Sequence, residues 1–452
     1  MVAAALGDGT EVLDAQRLSA GASRQTWRVE VRRGARVWSV ICQRERPGGA
    51  RAGTGLSGEA ALLGDLAERG VPVAAVLGVD ARAAGVEDPL GSWILLEEVA
   101  GETVPRRVLD ARPERAQRRA LLRQMAGALA GIHRLPPSGR HGLTAVDQVA
   151  AYRGILDVLG DPRPCFELAF AWLDANRPPR TATADRVVHG DFRLGNVIVD
   201  DAGLVAVLDW ELAHLGDPVE DLAWCCLRAW RFGSTEPAAG LGTVEEFLAD
   251  YVAAGGAPVD PVVLHWWQVL GTLKWGIMCL VQAATHQGGS TRSVELAAIG
   301  RRVAEVDEDL LDLLDGPHPY DPPAPAAVGG APWSGLGGPG GPAVRPSAEE
   351  LLEAVAELLL QVRDEVPGRT GFLARVAGNV VDQVGRELRV GPELAFRHRE
   401  RLAAFGVADD AGLAALVRSG ALSVDDRALL DALRGTARDT LSVVHPGYWT
   451  VG

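Results

Sequence analysis

The sequence predicts an α+β fold with two lobes, followed by a small all-α domain. Patterns typical of strands are concentrated in residues 1–100, and helical patterns dominate residues 101–316. Residues 317–346 are dense in proline and glycine and offer little to build a core, which is typical of a linker. Residues 347–452 return to helical patterns. The chain is therefore expected to contain an N-terminal lobe, a C-terminal lobe, a linker and a helical domain of unknown role.

Three strands are predicted near the start of the chain. Residues 11–18, 26–32 and 36–44 are rich in β-branched and apolar residues, and Gly34 lies in a turn between the last two. Alternation along a strand sends successive side chains to opposite faces of a sheet. The second and third strands are therefore expected to form a hairpin.

A helix with a charged residue on its apolar face follows these strands. Residues 57–69 show a helical pattern that ends at Gly70, and Glu59 lies on the apolar stripe of this helix. A carboxylate on a buried stripe needs a partner of opposite charge. The alternative is that Glu59 only interacts favourably with the positive end of the helix dipole.

The first lobe ends with a buried strand. Residues 93–98, WILLEE, are mostly apolar and are followed closely by Gly101. Residues 114–134 then form a helical pattern with one apolar face. His133, at the end of this pattern, is expected to cap the helix or to pack rather than to catalyse.

A central stretch, residues 187–211, holds most of the side chains that are suited to catalysis or to metal binding. Its sequence is VVHGDFRLGNVIVDDAGLVAVLDWE. His189, Asp191 and Asn196 follow the spacing H-x-D-x-x-x-x-N, which in phosphoryl transfer supplies a base for a hydroxyl proton and an amide that holds Mg²⁺. Single histidines and aspartates occur in any surface loop. The combination of spaced positions is what favours a catalytic loop here.

A hairpin is expected immediately after this loop. Two short apolar runs flank residues 200–203, Asp-Asp-Ala-Gly, which is turn chemistry. If Val199 lies opposite Leu204, Asp209 falls on a cross-strand diagonal of roughly 7 to 8 Å from Asn196. Both side chains would then be close enough to bind the same metal ion.

Further helices are expected in the second lobe. Asp217 and Asp221 follow the hairpin and are expected to hold loops by hydrogen bonds and to begin a helix, although they would also suit a pocket for a cationic substrate. Residues 262–281 are apolar around most of a helical circumference, which indicates a buried helix. Residues 294–314 show the pattern of one charged amphipathic helix.

The residues after the linker predict a bundle of helices. Ser347 and Glu350 form a capping box at the start of the first. Four more helical patterns follow, at residues 370–388, 392–405, 410–419 and 425–441. No catalytic constellation is visible in these residues.

Charge and composition exclude several classes of function. The formal net charge of −14 argues against binding nucleic acid or an anionic membrane. Five cysteines occur without a C-x-x-C pair, and the N-terminus lacks the features of a leader peptide, so a cytoplasmic location is expected. The only lysine is Lys274, so the first lobe contains none.

The central stretch resembles the aminoglycoside phosphotransferase and choline kinase group of protein-kinase-like folds. It is most similar to a branch of phosphotransferase family proteins that includes the kinase-like part of some acyl-CoA dehydrogenase fusions. The resemblance implies a bilobal protein-kinase-like fold that uses ATP and Mg²⁺. By the same resemblance, Asp191 is the catalytic base, and Asn196 and Asp209 bind Mg²⁺. The helical domain resembles an uncharacterised domain attached to phosphotransferases of this branch.

The resemblance also implies roles beside the catalytic base. Arg193 occupies the position where many protein kinases carry a lysine near the transferring phosphate, and His189 braces the loop. Gly21 and Ser23 belong to a short loop of small residues that would cover the ATP phosphates with backbone N–H groups.

Four residues of the first lobe complete the implied nucleotide site. Arg44 is the expected cation on the strand, pairing with Glu59 as a lysine pairs with a glutamate in kinases. A slip of one residue would instead turn Gln43 inward. The backbone groups of Glu97 and Val99, between the two lobes, would face the adenine.

The leading hypothesis is an enzyme that transfers the γ-phosphoryl group of ATP to a hydroxyl group of a small molecule. An alternative is a catalytically impaired nucleotide-binding scaffold, suggested by the missing strand lysine. A third is a phosphate transfer or hydrolysis that uses the same metals. The acceptor stays open among aminoglycosides, amino alcohols, sugars, hydroxy-acyl compounds and their CoA esters. Self-association or partner binding is assigned to the helical domain.

Overall fold

The structure is a computed structural model of the chain. It describes residues 2–19, 24–45, 55–80, 92–179, 185–289, 291–318 and 348–449. Gly21 and Ser23, expected at the phosphates, lie outside the described residues, as do Ser347 and most of the predicted linker. The chain divides into two compact units: unit 1 is Met1–Asp147 with Pro178–Gly271, and unit 2 is Gln148–Arg177 with Thr272–Gly452.

Unit 1 begins with a five-stranded antiparallel sheet in the order β1-β2-β3-β5-β4. Its strands are β1 (Thr10–Ser19), β2 (Arg24–Arg33), β3 (Arg36–Glu45), β4 (Val76–Asp80) and β5 (Trp93–Glu97). The three predicted N-terminal strands and the predicted strand at residues 93–98 are confirmed. The turn between β2 and β3 places Gly34 at a φ of 60°, a conformation that glycine adopts without a steric cost. The short strand β4 was not predicted.

The two faces of this sheet pack against different helices. Val40, Cys42 and Trp93 form one apolar cluster with α1 (Val2–Leu6). On the opposite face, Ile94 and Leu96 belong to the main core, together with the apolar side of α2 (Gly55–Glu68). Because alternate residues of β3 point to opposite faces, each side chain of that strand meets only one of these helices.

The rest of unit 1 forms the main core and the loops of the candidate site. Its elements are α3 (Pro105–Asp110), α4 (Arg115–His133), β6 (Arg186–Val188), β7 (Val197–Asp200), β8 (Gly203–Val207), β9 (His214–Gly216), α7 (Val219–Cys225) and α8 (Val244–Ala253). The predicted helix at residues 114–134 is confirmed by α4. Its predicted apolar face is buried in the core, as at Leu121, Met125 and Ile132.

Unit 2 is helical in the residues that the structure describes. Its elements are α5 (Gln148–Leu159), α6 (Pro164–Ala175), the end of α9 (Pro261–Gln287), α10 (Val294–Arg301), α11 (Val303–Asp315), α12 (Ala348–Glu365), α13 (Arg369–Ala403), α14 (Asp410–Arg418) and α15 (Arg427–Val444). The helix expected over residues 294–314 is instead two helices that meet at Arg302. The two helices expected around Pro392 are one, because a proline removes only one backbone N–H donor and the flanking turns continue.

Helices before and after the predicted linker share a core in unit 2. Arg434 on α15 donates to Glu308 at 3.4 Å and to Asp312 at 2.7 Å, both on α11. The Tyr448 hydroxyl donates to Asp309, and Ala304 of α11 packs with the apolar end of α15. The compact units therefore group residues differently from the predicted lobes and helical domain.

One buried carboxylate in unit 2 makes folding depend on pH. Asp307 Oδ1 has no hydrogen-bond partner among the described residues. Burial raises the pKa of Asp307 from 3.8 to about 6, with Arg163 opposing the shift and Asp410, Asp161 and Glu308 adding to it. A raised carboxyl pKa destabilises the folded state as pH rises from about 4 to about 6, because only the unfolded chain ionises freely in that interval.

Asp307→Asn should therefore stabilise the protein, and more so at high pH. At 1.36 kcal/mol per pKa unit, the gain reaches at most about 3 kcal/mol at pH 8 and roughly half of that at pH 5. Denaturant unfolding at these two pH values measures it. The control is Asp174→Asn, which changes a carboxylate on α6 that is 66% exposed. An equal effect of Asp307→Asn at both pH values would contradict the assignment.

No helix among the described residues is long and apolar enough to cross a membrane. The five cysteines are buried free thiols. Burial raises the pKa of Cys226 and of Cys279 to about 12, so both stay protonated and unreactive at neutral pH.

Candidate active site

The loop after β6 is held in place by a buried carboxylate. Asp221, the third residue of α7, accepts hydrogen bonds from the backbone N–H groups of His189 at 2.7 Å and Gly190 at 2.8 Å. Gly190 has a φ of 79°, and a Cβ atom there would lie 2.4 Å from the carbonyl oxygen of Leu212. The loop therefore requires glycine at this position and an acceptor beneath it.

His133 supports the same carboxylate from α4. Its Nε2 lies 3.1 Å from Asp221, and its Nδ1 lies 2.8 Å from the hydroxyl of Tyr251. Burial by itself would raise the pKa of Asp221, but the hydrogen bonds from His133 and from the backbone of His189 lower it to about 2. His133 thus has the packing role that was predicted. Asp217 begins α7 as predicted, because its side chain accepts from the N–H of Val219 at 3.0 Å.

His189 braces the loop in one defined tautomer. Its Nδ1 accepts from the backbone N–H of Asp191 at 3.2 Å, so its Nε2 carries the proton and donates to the carbonyl of Leu208 at 2.9 Å. Burial lowers the pKa of His189, which keeps the ring neutral. The ring centroid lies 4.5 Å from that of Trp210. These bonds join the loop to the end of the hairpin that follows.

Asp191 is oriented by three donors. Its Oδ1 accepts from Arg193 Nε at 3.0 Å and from the indole N–H of Trp224 at 2.8 Å. Its Oδ2 accepts from Asn196 Nδ2 at 2.6 Å. Three donors on two oxygens hold the carboxylate in one orientation.

Arg193 is positioned by an aromatic ring as well as by Asp191. Its guanidinium carbon lies 4.5 Å from the ring centroid of Trp230, within the range of a cation–π interaction. The planar guanidinium is a donor that matches phosphate oxygens. Its side chain is 23% exposed, so it remains accessible beside the loop that follows β6.

The hairpin has the predicted pairing at its turn, but a β-bulge between Ile198 and Val199, which was not predicted, shifts the rest of the register by one residue. Val199 pairs with Leu204 in β7 and β8, and the pairing extends to Asn196, whose carbonyl accepts from the N–H of Leu208 at 2.8 Å. Because of the bulge, Leu208 lies opposite Asn196, and Asp209 follows it directly instead of lying two residues beyond the partner of Asn196 as predicted. Since the Asn196 amide nitrogen is bonded to Asp191, the side-chain oxygen of Asn196 is the atom suited to bind a cation.

Asp209 combines backbone strain with buried charge. Its φ of 64° is unusual for a residue other than glycine, and such conformations are concentrated at functional sites. Burial, followed by the charges of Glu211 and Asp191, raises the pKa of Asp209 to about 7, while Arg193 and Arg24 oppose the rise. The site holds more negative than positive charge around this carboxylate.

These oxygens suit a magnesium ion that is shared with a phosphate group. The described residues contain no cluster of three or more histidine, cysteine, aspartate or glutamate side chains arranged to hold a metal. Mg²⁺ typically binds one or two carboxylates and takes its remaining ligands from water and substrate phosphates. Asp209 and Asn196 fit that pattern, and a cation would relieve the unfavourable charge on Asp209.

The expected pair between Arg44 and Glu59 is wrong. Arg44 lies on the same face of β3 as Cys42, which is the face that packs with α1, and its Nε donates to Gln25 at 2.8 Å. Glu59 on α2 faces the opposite side of the sheet. There it accepts from Arg24 Nη1 at 2.5 Å. Alternation placed Arg44 correctly beside Cys42, but the helix that carries Glu59 covers the other face.

The remaining predicted residues of the nucleotide site stay predictions. Glu97 is the last residue of β5, and its backbone N–H donates to the carbonyl of Ala75 at 2.9 Å. Val99 packs against the main core just beyond this strand.

Three residues of the site were missed by reasoning from the sequence: Arg24, Trp224 and Trp230. Trp224 lies one helical turn after Asp221, and this spacing was the available signal that it shares a face with the loop. The contact of its indole with Asp191 depends on tertiary packing. The partnership of Arg24 depends on which face of the sheet α2 covers.

Comparison with known proteins adds independent information on these residues. A model of the phosphotransferase enzyme family matches residues 14–267, more than half of the chain. A model of a domain of unknown function, DUF6285, matches residues 364–448. The first match includes the whole candidate site, and the second covers α13 to α15.

Two similar proteins are much longer than the matched region. Over 108 residues, the chain is 39% identical to acyl-CoA dehydrogenase family member 10 of Mus musculus, covering 21% of this chain and 10% of that protein. Over 272 residues, it is 26% identical to the probable acyl-CoA dehydrogenase IBR3 of Arabidopsis thaliana, covering 53% of this chain and 32% of that protein. The match therefore spans less than a third of the length of either relative.

A solved structure shares the fold. The crystal structure of a proposed aminoglycoside phosphotransferase from Ralstonia eutropha matches with a TM-score of 0.53 and 18% identity, covering 67% of this chain and 92% of that one. The predicted α+β, protein-kinase-like fold class with helices C-terminal to it is confirmed.

Proposed function

Since this chain belongs to the phosphotransferase enzyme family, we propose that it uses ATP and Mg²⁺ to phosphorylate a hydroxyl group of a small molecule. The observation that carries the proposal is the arrangement around Asp191. One of its carboxylate oxygens is held by Trp224 and Arg193, and the other by Asn196. A base held in this way in a loop of the H-x-D-x-x-x-x-N type matches the chemistry of phosphoryl transfer.

Each residue of the site has a separate task in this proposal. Asp191 accepts the proton of the acceptor hydroxyl while its oxygen attacks the γ-phosphorus and ADP departs. Arg193, next to this carboxylate, donates to the transferring phosphoryl group. His189 keeps the loop in shape and does not exchange protons, because it is neutral and bonded at both nitrogens.

Asn196 and Asp209 would hold Mg²⁺. When bound, the ion neutralises charge on the phosphates and orients them. The buried, negatively charged surroundings of Asp209 support this assignment. The backbone of Glu97 and Val99 would receive the adenine, and the loop with Gly21 and Ser23 would cover the phosphates.

The first test is binding of ATP with and without Mg²⁺. The wild-type protein should be stabilised by ATP, and more strongly when Mg²⁺ is present, because a ligand at a hundred times its Kd adds about 2.7 kcal/mol to the free energy of unfolding. Asp209→Asn should remove the additional stabilisation by ATP that Mg²⁺ provides. Thermal unfolding in the four ligand conditions measures both effects.

Asp201→Asn is the matched control, since it changes an exposed aspartate in the turn of the same hairpin. It should respond to Mg²⁺ as the wild type does. No response of the wild type to ATP in either condition would refute the proposal. If Mg²⁺ still adds its full stabilisation in Asp209→Asn, the metal assignment is refuted but the rest of the proposal is not.

The acceptor can be found with the same protein. ADP release should be measured with members of each candidate class: an aminoglycoside, an amino alcohol, a sugar, and a hydroxy-acyl compound with its CoA ester. The first class follows from the name of the structural relative, and the last from the names of the acyl-CoA dehydrogenase relatives. ATP binding without turnover for any acceptor would favour the nucleotide-binding scaffold instead.

A further inference from the structure

We propose that Arg24, on β2, supplies the positive charge that binds the α- and β-phosphates of the nucleotide, a task that kinases assign to a lysine on a neighbouring strand. The inference rests on the proposed function and deepens it by naming a residue at the nucleotide. The strand that would carry the usual cation, β3, has Arg36 at its turn end and Arg44 near its other end, and Arg44 lies on the face that packs with α1.

The register of the sheet places Arg24 on the face that α2 covers. In β2 and β3, Thr26 lies opposite Gln43, and Arg28 lies opposite Ile41. Ile41 packs against the main core, which includes the apolar side of α2. Directly opposed residues of an antiparallel pair share a face, and alternate residues of one strand share it as well. Arg24, two residues before Thr26, therefore points to the same side as α2.

The contacts of Arg24 connect α2 with the end of the hairpin. Its Nη1 donates to Glu59 at 2.5 Å, and its Nε lies 3.8 Å from a carboxylate oxygen of Glu211. Glu211 is two residues from Asp209, which would hold the metal. The Arg24 side chain is 12% exposed and that of Glu59 is 3% exposed. A kinase places its strand lysine in the same relation, between a helix glutamate and the metal aspartate.

The neighbouring arginine on this face is already engaged. Arg28 donates through two nitrogens to Glu98, at 2.6 and 3.2 Å, and its side chain is 40% exposed. Arg24 makes one hydrogen bond to a described residue, through one of its five N–H donors. The other donors leave Arg24 the capacity to bind phosphate oxygens while it stays paired with Glu59.

The test combines nucleotide binding with turnover in the whole 452-residue chain. Arg24→Ala should weaken binding of ADP and ATP by roughly thirtyfold or more and leave binding of adenosine within about threefold, because only the first two carry phosphates. It should lower kcat/KM for ATP about a hundredfold, as expected for loss of one charged contact in a site that excludes water. Arg24→Lys keeps the charge and should recover most of this loss.

Two further variants keep the test interpretable. Arg24→Ala leaves Glu59 buried without its partner, so the double variant Arg24→Ala with Glu59→Gln removes the unpaired charge and should show the same loss of ADP affinity. Arg32→Ala is the matched control, because Arg32 lies on the same strand and pairs with Glu11 at 2.7 Å on the exposed surface. It should bind both nucleotides as the wild type does.

The outcomes separate this inference from the proposed function. If the wild type binds ADP and turns over ATP while Arg24→Ala and the double variant do the same, Arg24 has no role at the phosphates. If Arg44→Ala weakens binding of ADP and ATP and Arg24→Ala does not, the inference is overturned and the phosphate-binding cation is on β3. A wild type that binds no nucleotide would overturn the proposed function, and the inference with it.

Discussion

Replacing Asp191 by asparagine should lower kcat at least about a thousandfold while ATP still binds, because general-base catalysis contributes typically a factor of 10² to 10⁴. Asparagine cannot accept the hydroxyl proton. Its side-chain nitrogen would also face one of the donors that now surround the carboxylate, Trp224 and Arg193 on one oxygen or Asn196 on the other. The acceptor hydroxyl would lose both its base and its positioning.

Single-turnover ADP formation and the Kd for ATP should be measured together for Asp191→Asn. The Kd should change less than about threefold, since Asp191 acts on the acceptor and not on the nucleotide. Asp201→Asn, in the exposed turn of the hairpin, should leave both quantities unchanged. Retention of more than about a tenth of wild-type turnover by Asp191→Asn would show that this carboxylate is not the base.

Replacing Asp221 by alanine should destabilise unit 1 by about 3 to 5 kcal/mol, because each buried donor that is left without an acceptor costs about 1 to 3 kcal/mol. The substitution leaves the backbone N–H groups of His189 and Gly190 and the ring of His133 without their acceptor. A folded-state pKa of about 2 against 3.8 in the unfolded chain means that this stabilisation is present above about pH 4 and is lost as pH falls through 2.

Denaturant unfolding at pH 7.5 measures the loss for Asp221→Ala. Asp110→Ala serves as its control, because Asp110 forms an ion pair with Arg106 at 3.3 Å but is 65% exposed, and exposed pairs contribute about 0 to 1 kcal/mol. A loss below about 1 kcal/mol for Asp221→Ala would show that the loop does not depend on this carboxylate.

Local chemistry made the hairpin of the site predictable from the sequence. Residues 200–203 are turn formers, and a tight turn sets the register of the strands that it joins. The pairing of Val199 with Leu204 follows from that turn alone. The β-bulge between Ile198 and Val199 does not follow from the turn, and it places Leu208 rather than Val207 opposite Asn196, so the offset of Asp209 from Asn196 was not predicted correctly.

The partner of the buried carboxylate of Glu59 was not predictable in the same way. Alternation states which residues of β3 share a face, and it placed Arg44 with Cys42 correctly. It does not state which helix covers that face. Tertiary packing determines whether α1 or α2 covers a given face. Because α2 covers the face opposite Arg44, Glu59 pairs with Arg24 and not with Arg44.

The boundaries of two helices were also not predictable from local sequence. A proline lacks the N–H that a helix interior needs, so Pro392 predicts a boundary between two helices. In a helix of 35 residues the loss of one hydrogen bond is small compared with the bonds and packing on either side. Arg302, where one helix was expected and two are found, carries no sequence signal for a break.

The shared core of α11 and α15 affects how the chain can be dissected. A truncated chain ending near residue 318 would keep α11 but lose the guanidinium of Arg434 and the hydroxyl of Tyr448. Glu308 and Asp309 would then be buried or newly solvated without their donors, beside an apolar surface around Ala304 that had lost its cover. Loss of activity in such a fragment would have two explanations. Either α11 is misfolded, or a function of the C-terminal helices is missing. Point substitutions on the outer face of α15 would separate the two causes.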